Sequence, residues 1–410
     1  MPTPLNRTPA QTTRTFTKLL CVATLAALSA CGGGGGGSGD TGTADAKTAF
    51  AAGPITGFGS VIVNGVRFDD SRANVSDDDG NARRSDELRL GMMAEIKSSG
   101  ITTDSAGSRS EASTIRFGSE IVGPVASIAA DAKSLVVLGE TVQITTTTLF
   151  DDRLVGGLAG LVAGSSIVEI HGLFDASTGT YTATRIEPKP NAPFFKLRGV
   201  VTAIDKTAHT LRIGSGTDTV SYDAIRAAVP AALDNGLLVR LRLQTTKVAG
   251  LWVAANIASG VTRIDDHDEA ELEGAITAST FASDRKFSVN GVAVDASNAA
   301  FPDGTAGIVL GARVEVKGSA AAGVVVATRV SIEDPAKRER EGFELHGAIS
   351  ALNATAKTFL LRGVTVSFAS VAEYRKGSAA DLANGRKVEV KGARASDGTT
   401  LVASRIGFED

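Results

Sequence analysis

The 410-residue chain has few of the residues that serve most metal, disulfide and nucleic-acid sites. It contains two cysteines, one tryptophan, three tyrosines and four histidines, and its formal net charge is −3. Nucleic-acid binding usually requires basic patches and stacking aromatic side chains, so this composition argues against a nucleic-acid partner. After the N-terminal segment there is no apolar run of about 20 residues, so we predict no transmembrane span.

The first 30 residues have the three parts of a secretory signal peptide. Arg7, Arg14 and Lys18 make the start positive, an apolar run follows at residues 19–27, and small residues close it. The apolar run is too short to span a bilayer stably. We therefore predict a signal peptide at residues 1–30, whose removal changes the formal net charge from −3 to −6.

The end of this segment, Leu28 to Cys31, resembles the lipobox of bacterial lipoproteins. The resemblance implies cleavage before Cys31 and lipidation of that cysteine, and Gly32 after it favours the outer membrane. The alternative is an ordinary signal peptide with a chance cysteine. Residues 31–52 are rich in glycine and are predicted to form a flexible tether. Because Cys21 leaves with the signal peptide, the mature chain has no cysteine pair for a disulfide or a thiolate metal site.

The remainder of the chain repeats one unit five times. Each unit opens with Gly-x-Ile or Gly-x-Val, a turn between apolar residues follows, and an alternating charged strand comes next. The turn is Asn-Gly at Asn64 and at Asn290, a sequence that favours a tight hairpin. The predicted repeats one to five are residues 53–117, 119–187, 196–259, 270–333 and 342–409.

Repeat three shows the pattern of elements within a unit. Strands are predicted at residues 197–204, 210–213, 219–222, 237–243 and 251–257, with a short alanine-rich helix at residues 223–233. Short alternating strands without long helices indicate an all-β fold. The crossing between the third and fourth strands is typical of an OB-like barrel, while an SH3-like barrel and an open sandwich are the alternatives.

We therefore predict five tandem small OB-like β-barrels, each of five or six strands. The joins between them are rich in proline or charge, as at residues 188–193 and 265–269. Such joins are extended or solvated, so we expect separate barrels arranged like beads on a string.

The unit resembles a bacterial family called domain of unknown function 5666, which recurs in tandem in envelope lipoproteins. The resemblance rests on GAI at 274–276, FSVNGV at 287–292, GARVEVKG at 311–318 and ATRV at 327–330. It covers nearly all of the chain after residue 53. Repeat three departs most, with Arg240 in place of a glutamate and Leu243 in place of a glycine. The family has no assigned activity, so the resemblance implies a class of domain and no catalytic residues.

The charged face of the fourth strand is the candidate binding surface. In repeat four, Val314 and Val316 alternate with Glu315 and Lys317, which places the charges on one face. A glycan or an acidic polymer could bind there. Alternatively, the face is only exposed to solvent and binds nothing. An exposed ion pair there, such as Glu315 with Arg329, would stabilise the fold by about 0.2–1 kcal/mol. The candidate residues are Glu95, Lys97, Glu169, His171, Arg240, Arg242, Glu315, Lys317, Glu389 and Lys391.

Two acidic stretches are candidate metal sites. The first resembles part of a calcium loop, although Val75 stands where the first ligand belongs. The second combines carboxylates with an imidazole. A surface loop and a solvated linker are the respective alternatives. The candidate ligands are Asp77, Asp79 and Asp86 in the first stretch, and Asp265, Asp266, His267 and Asp268 in the second.

The four histidines lie in different repeats or joins and form no metalloprotease or hydrolase motif. We therefore predict neither an enzyme nor a cofactor. The predicted function is that of a lipid-anchored cell-envelope protein that binds a surface polymer, such as a glycan, or an envelope protein. The first alternative is a purely structural spacer, and the second is a divalent-cation-binding module or an enzyme.

Overall fold

A computed structural model describes residues 46–105, 107–334, 340 and 342–409. The predicted signal peptide, Cys31 and the tether up to residue 45 lie outside the described residues. Within the described residues, no helix has the length and apolar character that crossing a membrane requires.

Repeat one begins earlier than predicted. Its first strand starts within the range assigned to the tether, because residues 49–52 pair with Glu95 to Ser98 on one side and with 269–272 of repeat four on the other. Its elements are β1 (Thr48–Phe58), β2 (Val61–Val63), β3 (Val66–Asp69), β4 (Asn74–Asp77), β5 (Ala82–Arg83), a 3-10 turn (Ser85–Glu87), β6 (Met93–Ser99), β7 (Thr102–Asp104) and β8 (Gly107–Gly118).

Repeats two and three have similar element orders. Repeat two consists of β9 (Ile121–Ile128), β10 (Ser134–Val137), β11 (Glu140–Gln143), β12 (Leu149–Phe150), a 3-10 turn (Gly157–Gly160), β13 (Ile167–Asp175) and β14 (Thr180–Pro188). Repeat three consists of β15 (Phe195–Asp205), β16 (Thr210–Ile213), β17 (Val220–Ser221), a 3-10 turn (Asp223–Ile225), β18 (Leu238–Leu243) and β19 (Trp252–Ser259).

The five strands predicted for repeat three are confirmed, but the helix predicted at residues 223–233 is wrong. Only the 3-10 turn Asp223–Ile225 forms there. Pro230 has no N–H for a helical hydrogen bond and disfavours helical geometry at Val229, which limits the helix despite the alanines.

Repeat four has its one short α-helix between the first two strands, and repeat five has a divided first strand. Repeat four consists of β20 (His267–Ser279), α1 (Phe281–Asp284), β21 (Lys286–Val289), β22 (Val292–Asp295), β23 (Arg313–Ala321) and β24 (Val324–Ile332). Repeat five consists of β25 (Phe343–Ala348), β26 (Ser350–Asn353), β27 (Thr358–Leu361), β28 (Val364–Ser367), β29 (Glu373–Arg375), a 3-10 turn (Ala379–Asp381), β30 (Lys387–Arg394) and β31 (Leu401–Phe408).

The strand pairings close into small five-stranded barrels. In repeat two, β9 pairs with β10, β10 with β11, β11 with β14 in parallel, β14 with β13, and β13 again with β9. This order has the third and fifth strands parallel, as in an OB-like barrel. Repeat four closes in the same order. The predicted all-β class of small closed barrels is therefore confirmed.

Tight turns join the second and third strands in repeats one and four. At Asn64 and Gly65, φ is 53° and 76°, and at Asn290 and Gly291 it is 48° and 82°. Two successive residues with positive φ give the type I′ turn, whose twist matches that of the flanking strands. The hairpins predicted from the Asn-Gly pairs are therefore confirmed.

The glycine that ends the fourth-strand motif occupies a β-bulge. The register between β23 and β24 shifts at Gly318, and a Cβ there would lie 2.1 Å from the carbonyl oxygen of Val326. Gly172 and Gly392 occupy the equivalent bulges of repeats two and five. The recurrent glycine thus permits a close approach of backbone to backbone.

The expectation of separate beads is wrong, because strands pair between repeats. Parallel pairings join β1 to β20 and to β25, and an antiparallel pairing joins β9 to β15. The described residues from 46 onward form one compact unit. In this unit the cores of repeats two and three merge, as do those of repeats one and five. Domains of about 60 residues bury limited apolar surface alone, so merged cores favour a common folded body.

Candidate functional site

The predicted binding residues lie on the outer faces of β6, β13, β18, β23 and β30. Each of these is the fourth strand of its five-stranded barrel when the short additional strands are not counted. The apolar members of these strands are buried, including Val314 and Val316, and the charged members point away from the barrel cores. The structure does not gather the ten charged residues into one surface. Instead, each repeat pairs its own residues with different partners.

In repeats one and two, the fourth-strand residues bind neighbouring segments. The carboxylate of Glu95 accepts hydrogen bonds from Arg116 at 3.0 Å and from Thr262 at 3.2 Å, and Lys97 forms an ion pair with Asp265. Glu169 pairs with Lys189 at 2.6 Å.

His171 of repeat two is 1% exposed. Its Nδ1 lies 2.8 Å from the carbonyl oxygen of Gly118, and its Nε2 has no hydrogen-bond partner among the described residues. This imidazole is a buried packing group, so it is not available as a surface contact.

Repeat three uses its fourth strand to hold a loop of repeat one. Arg240 pairs with Asp78, and Nη2 of Arg242 lies 2.5 Å from a carboxylate oxygen of Asp79. Lys196 on β15 pairs with both aspartates, at 2.7 Å from Asp78. We call this group of five side chains the acidic-loop junction.

The acidic-loop junction removes charges from water and pairs them with one another. The side chain of Asp78 is 4% exposed and that of Lys196 is 10% exposed. Burial would raise the pKa of Asp79, but hydrogen bonds from Lys196 and Arg242 outweigh burial and lower it. Burial likewise opposes the charge of Lys196, yet Asp78 and Asp79 raise its pKa. Asp79 and Lys196 therefore both keep their charges at neutral pH.

The first predicted metal site lies at this junction, but Asp86, its third predicted ligand, lies elsewhere. Oxygen atoms of Asp77, Asp78 and Asp79 lie within 4.8 Å of one another, whereas Asp86 pairs with Arg84 on the surface. Asp77 accepts hydrogen bonds from Asn81 and Arg83, which outweigh the effect of burial and lower its pKa to about 2. Protein cations thus already neutralise the carboxylates that a calcium ion would need.

The second predicted metal site is dispersed. Asp265 pairs with Lys97, Asp266 accepts the backbone N–H of Ala322 at 2.7 Å, and Asp268 accepts that of Thr48 at 2.9 Å. His267 stacks against Phe50, with 5.9 Å between the ring centroids. The stretch predicted as a solvated linker therefore fastens repeat four to repeat one.

In repeats four and five the fourth-strand charges pair with residues of their own repeat. Lys317, whose side chain is 43% exposed, lies 3.2 Å from Glu315 and 3.0 Å from Glu271. Register places Lys317, not Glu315, opposite Arg329, whose guanidinium donates to Ser331; the expected pairing of Glu315 with Arg329 does not form. In repeat five, Glu389 pairs with Arg405 and Lys391 with Glu344, each at 2.7 Å.

A junction between repeats one and five was not predicted. His346 lies 2.7 Å from Glu344 and 2.5 Å from Glu409, and Arg67 of repeat one contacts both His346 and Glu344. Burial lowers the pKa of His346, but its hydrogen bonds to Glu344 and Glu409 outweigh burial and raise it. The only sequence signal was the alternation of Glu344 and His346, which does not reveal a partner 277 residues away.

Two of the cavities that lie where repeats meet exceed 200 Å³. One of about 230 Å³ adjoins the acidic-loop junction and is lined by Glu169, Lys189 and Phe194, among others. The other, of about 280 Å³, lies among repeats one, two and five and has Phe58, Phe150 and Arg362 in its wall. Sequence reasoning missed both, because each is formed by residues far apart in the chain.

The repeated closed barrels, with shared hairpin and bulge positions, define a tandem β-barrel protein. Residues 122–187, 273–331 and 346–407 match the family described as "Domain of unknown function (DUF5666)". The three matches are consistent with repeated copies of this domain, and the expected family resemblance is confirmed in these segments. No curated protein matches the chain.

Proposed function

We propose that this is a lipid-anchored, non-enzymatic protein of the cell envelope, on the outer membrane, whose packed barrels bind a surface polymer or a protein partner. The observation that carries the proposal is the apolar run at residues 19–27 and the segment Leu28 to Cys31 after it, which six glycines follow. A lipid on Cys31 would be joined through this glycine-rich segment to the folded body, which begins at Thr48.

The non-enzymatic part of the proposal is supported by the positions of the histidines. His171 is buried, His267 packs on Phe50, and His346 is bound by carboxylates. His209 lies 3.0 Å from Asp223 in repeat three. Each imidazole serves a separate local contact, whereas general acid–base catalysis needs groups converging on one substrate.

The anchor is tested by replacing Cys31 with serine. We expect the C31S variant to lose labelling by palmitate and to appear in the soluble fraction, because serine cannot carry the thioether-linked lipid. The matched control is C21S, which should keep both labelling and membrane association. Continued membrane association of C31S would contradict the anchor.

The open fourth-strand pair of repeat four is the best-supported polymer contact. Glu315 and Lys317 remain partly exposed, while their counterparts in repeats one to three bind other parts of the chain. Loss of retention on isolated cell-wall material in the Glu315→Gln, Lys317→Gln variant would support binding there. The control is Lys286→Gln with Asp295→Asn, an exposed pair of the same repeat at 3.7 Å.

A purely structural spacer is the second candidate, because most of the fourth-strand charges stabilise packing between or within repeats. A spacer needs a stiff body and no ligand. Unaltered retention in the Glu315 and Lys317 variant, or no retention of the wild type, would favour the spacer over the binding protein.

A further inference from the structure

The cavity among repeats one, two and five combines apolar walls with arginine side chains. Its volume of about 280 Å³ is close to the lower end of the roughly 300–1,000 Å³ typical of small-molecule pockets. Phe58, Leu88, Leu90, Leu149 and Phe150 form the apolar part of the wall and are each 3–6% exposed. The cavity can therefore enclose the apolar body of a small organic molecule.

Two arginines in this wall lack a carboxylate partner among the described residues. Arg89 donates through Nη1 to the carbonyl oxygens of Asp86 and Leu88, at 2.5 and 2.9 Å. Arg362 donates through Nε to the carbonyl oxygen of His346 at 2.9 Å, and its guanidinium carbon lies 5.9 Å from the centre of the Phe58 ring. An arginine has five N–H donors, so both retain donors for a ligand.

Arg185, in the same wall, shows the contrasting arrangement. It is buried and pairs with Asp151 at 3.0 Å and with Glu187. Its charge is therefore balanced within the protein. Arg89 and Arg362 differ from it because their hydrogen bonds go to neutral carbonyl groups.

The acidic side chains of the wall leave an excess of positive charge. Asp86 is paired with Arg84, and Asp151 is paired with Arg153 and Arg185. Asp152 forms no hydrogen bond among the described residues, but the charges of Arg185 and Arg89 oppose the rise that burial causes in its pKa. Arg89 and Arg362, neither of which forms an ion pair with a described residue, therefore face this one carboxylate. This balance favours a ligand that carries one anionic group.

We propose that this cavity binds a small amphipathic anion, with its apolar body against Phe58 and Phe150 and its carboxylate or phosphate held by Arg89 and Arg362. The site goes beyond the proposed envelope function, because it is a small-molecule site rather than a polymer contact. Arginine suits both anions, since its planar donors match carboxylate and phosphate oxygens.

The test uses phenyl phosphate and benzoate as probes, with benzamide as the neutral analogue of the same shape, and ligand-observed NMR on the full mature chain. We expect both anions to bind at least about tenfold more tightly than benzamide. Arg89→Gln and Arg362→Gln should each weaken anion binding by about 10- to 100-fold, as expected when a charge-assisted hydrogen bond is lost. The preferred anion identifies which of the two headgroups the site takes.

Two further variants separate the cavity from general surface charge. Val364→Phe fills the cavity and keeps both arginines, so it should abolish binding of the anions. Arg226→Gln removes an exposed arginine of repeat three, which pairs with Asp223, and should leave binding unchanged. The proposal is overturned if neither anion binds at millimolar concentration, if benzamide binds equally well, or if Val364→Phe binds like the wild type with its unfolding temperature unchanged.

Discussion

The fourth strands of repeats three and four occupy the same place in their barrels but use their charges differently. In repeat four, Lys317 pairs with nearby Glu315 and Glu271 at the surface. In repeat three, Arg240 and Arg242 instead reach across to Asp78 and Asp79 of repeat one, whose side chains are only 4% and 12% exposed. The same alternating strand pattern therefore carries ion pairs within repeat four, whereas in repeat three it binds a loop of repeat one.

This contrast also accounts for the sequence of repeat three. Its fourth strand has Arg240 where the other repeats have a glutamate, and a glutamate there would face the carboxylate of Asp78. Like charges at such a buried position destabilise the folded state strongly. The departure that looked like loss of the motif is therefore a requirement of the junction.

The largest effect is expected when the acidic-loop junction is broken. Asp78→Asn keeps the shape of the side chain but leaves Lys196 and Arg240 without their shared carboxylate. Removing one partner of a buried ion pair typically costs about 3–5 kcal/mol. We expect a loss of that order in the free energy of unfolding by urea, and a change below about 1 kcal/mol would show that the junction resembles a surface pair.

Glu140→Gln should change how stability depends on pH. Glu140 is buried at 1% exposure, and burial, with repulsion from Asp218, raises its pKa to about 9. Its stabilising contribution is thus complete below the unfolded value of about 4.3 and is lost as pH rises towards 9, by about 1.4 kcal/mol per pH unit.

At pH 7 this loss amounts to roughly 4 kcal/mol, because the unfolded chain releases the proton that the folded chain keeps. Glutamine cannot ionise, so the variant should lose this slope and be the more stable protein at pH 8–9. Unfolding curves from pH 5 to 9 measure the effect, and parallel curves for wild type and variant would contradict it.

His346→Gln tests the junction between repeats one and five, in which the imidazole loses its charge as pH rises. Because the folded pKa of His346 is raised, its stabilising charge is present below about 6.5 and disappears as pH rises through the folded value. We expect the variant to lose about 1.5–3 kcal/mol at pH 5.5 and less at pH 9. An equal loss at both pH values would indicate that packing, rather than charge, holds repeats one and five together at this point.

The smallest effect is expected for the open pair of repeat four. Glu315→Gln removes one exposed carboxylate from Lys317, which keeps Glu271, so the free energy of unfolding should change by no more than about 1 kcal/mol. The difference in stability between the variant and the wild type should also shrink with added salt, which screens exposed pairs. A loss as large as that of Asp78→Asn would remove the distinction between the two fourth strands.

Much of each barrel could be predicted because its signals are local. Asn64-Gly65 and Asn290-Gly291 readily adopt the positive φ angles of a tight hairpin turn. The alternation around Val314 and Val316 identifies the buried face of a strand. The helix at residues 223–233 was over-predicted because alanine content was weighed above Pro230. The separate-bead arrangement was wrong because charged joins such as Asp265 to Asp268 find partners in another repeat.

The candidate sites depended on contacts between distant parts of the chain. The pairing of Arg240 with Asp78 spans 162 residues, and that of Arg67 with Glu344 spans 277. Period-two alternation tells which face of a strand a charge occupies, but it does not tell which barrel packs against that face. The cavity with Arg89 and Arg362 was hidden for the same reason.

By itself, the sequence determined the repeated unit, the all-β class and the tight hairpins, because each follows from local sequence signals. Only the tertiary structure decided which charges are exposed and which are buried. That outcome depends on how the barrels pack. Removing a carboxylate from an exposed pair costs little, whereas removing it from a pair that a neighbouring repeat covers costs about 3–5 kcal/mol, because the partner charge is left buried and unpaired.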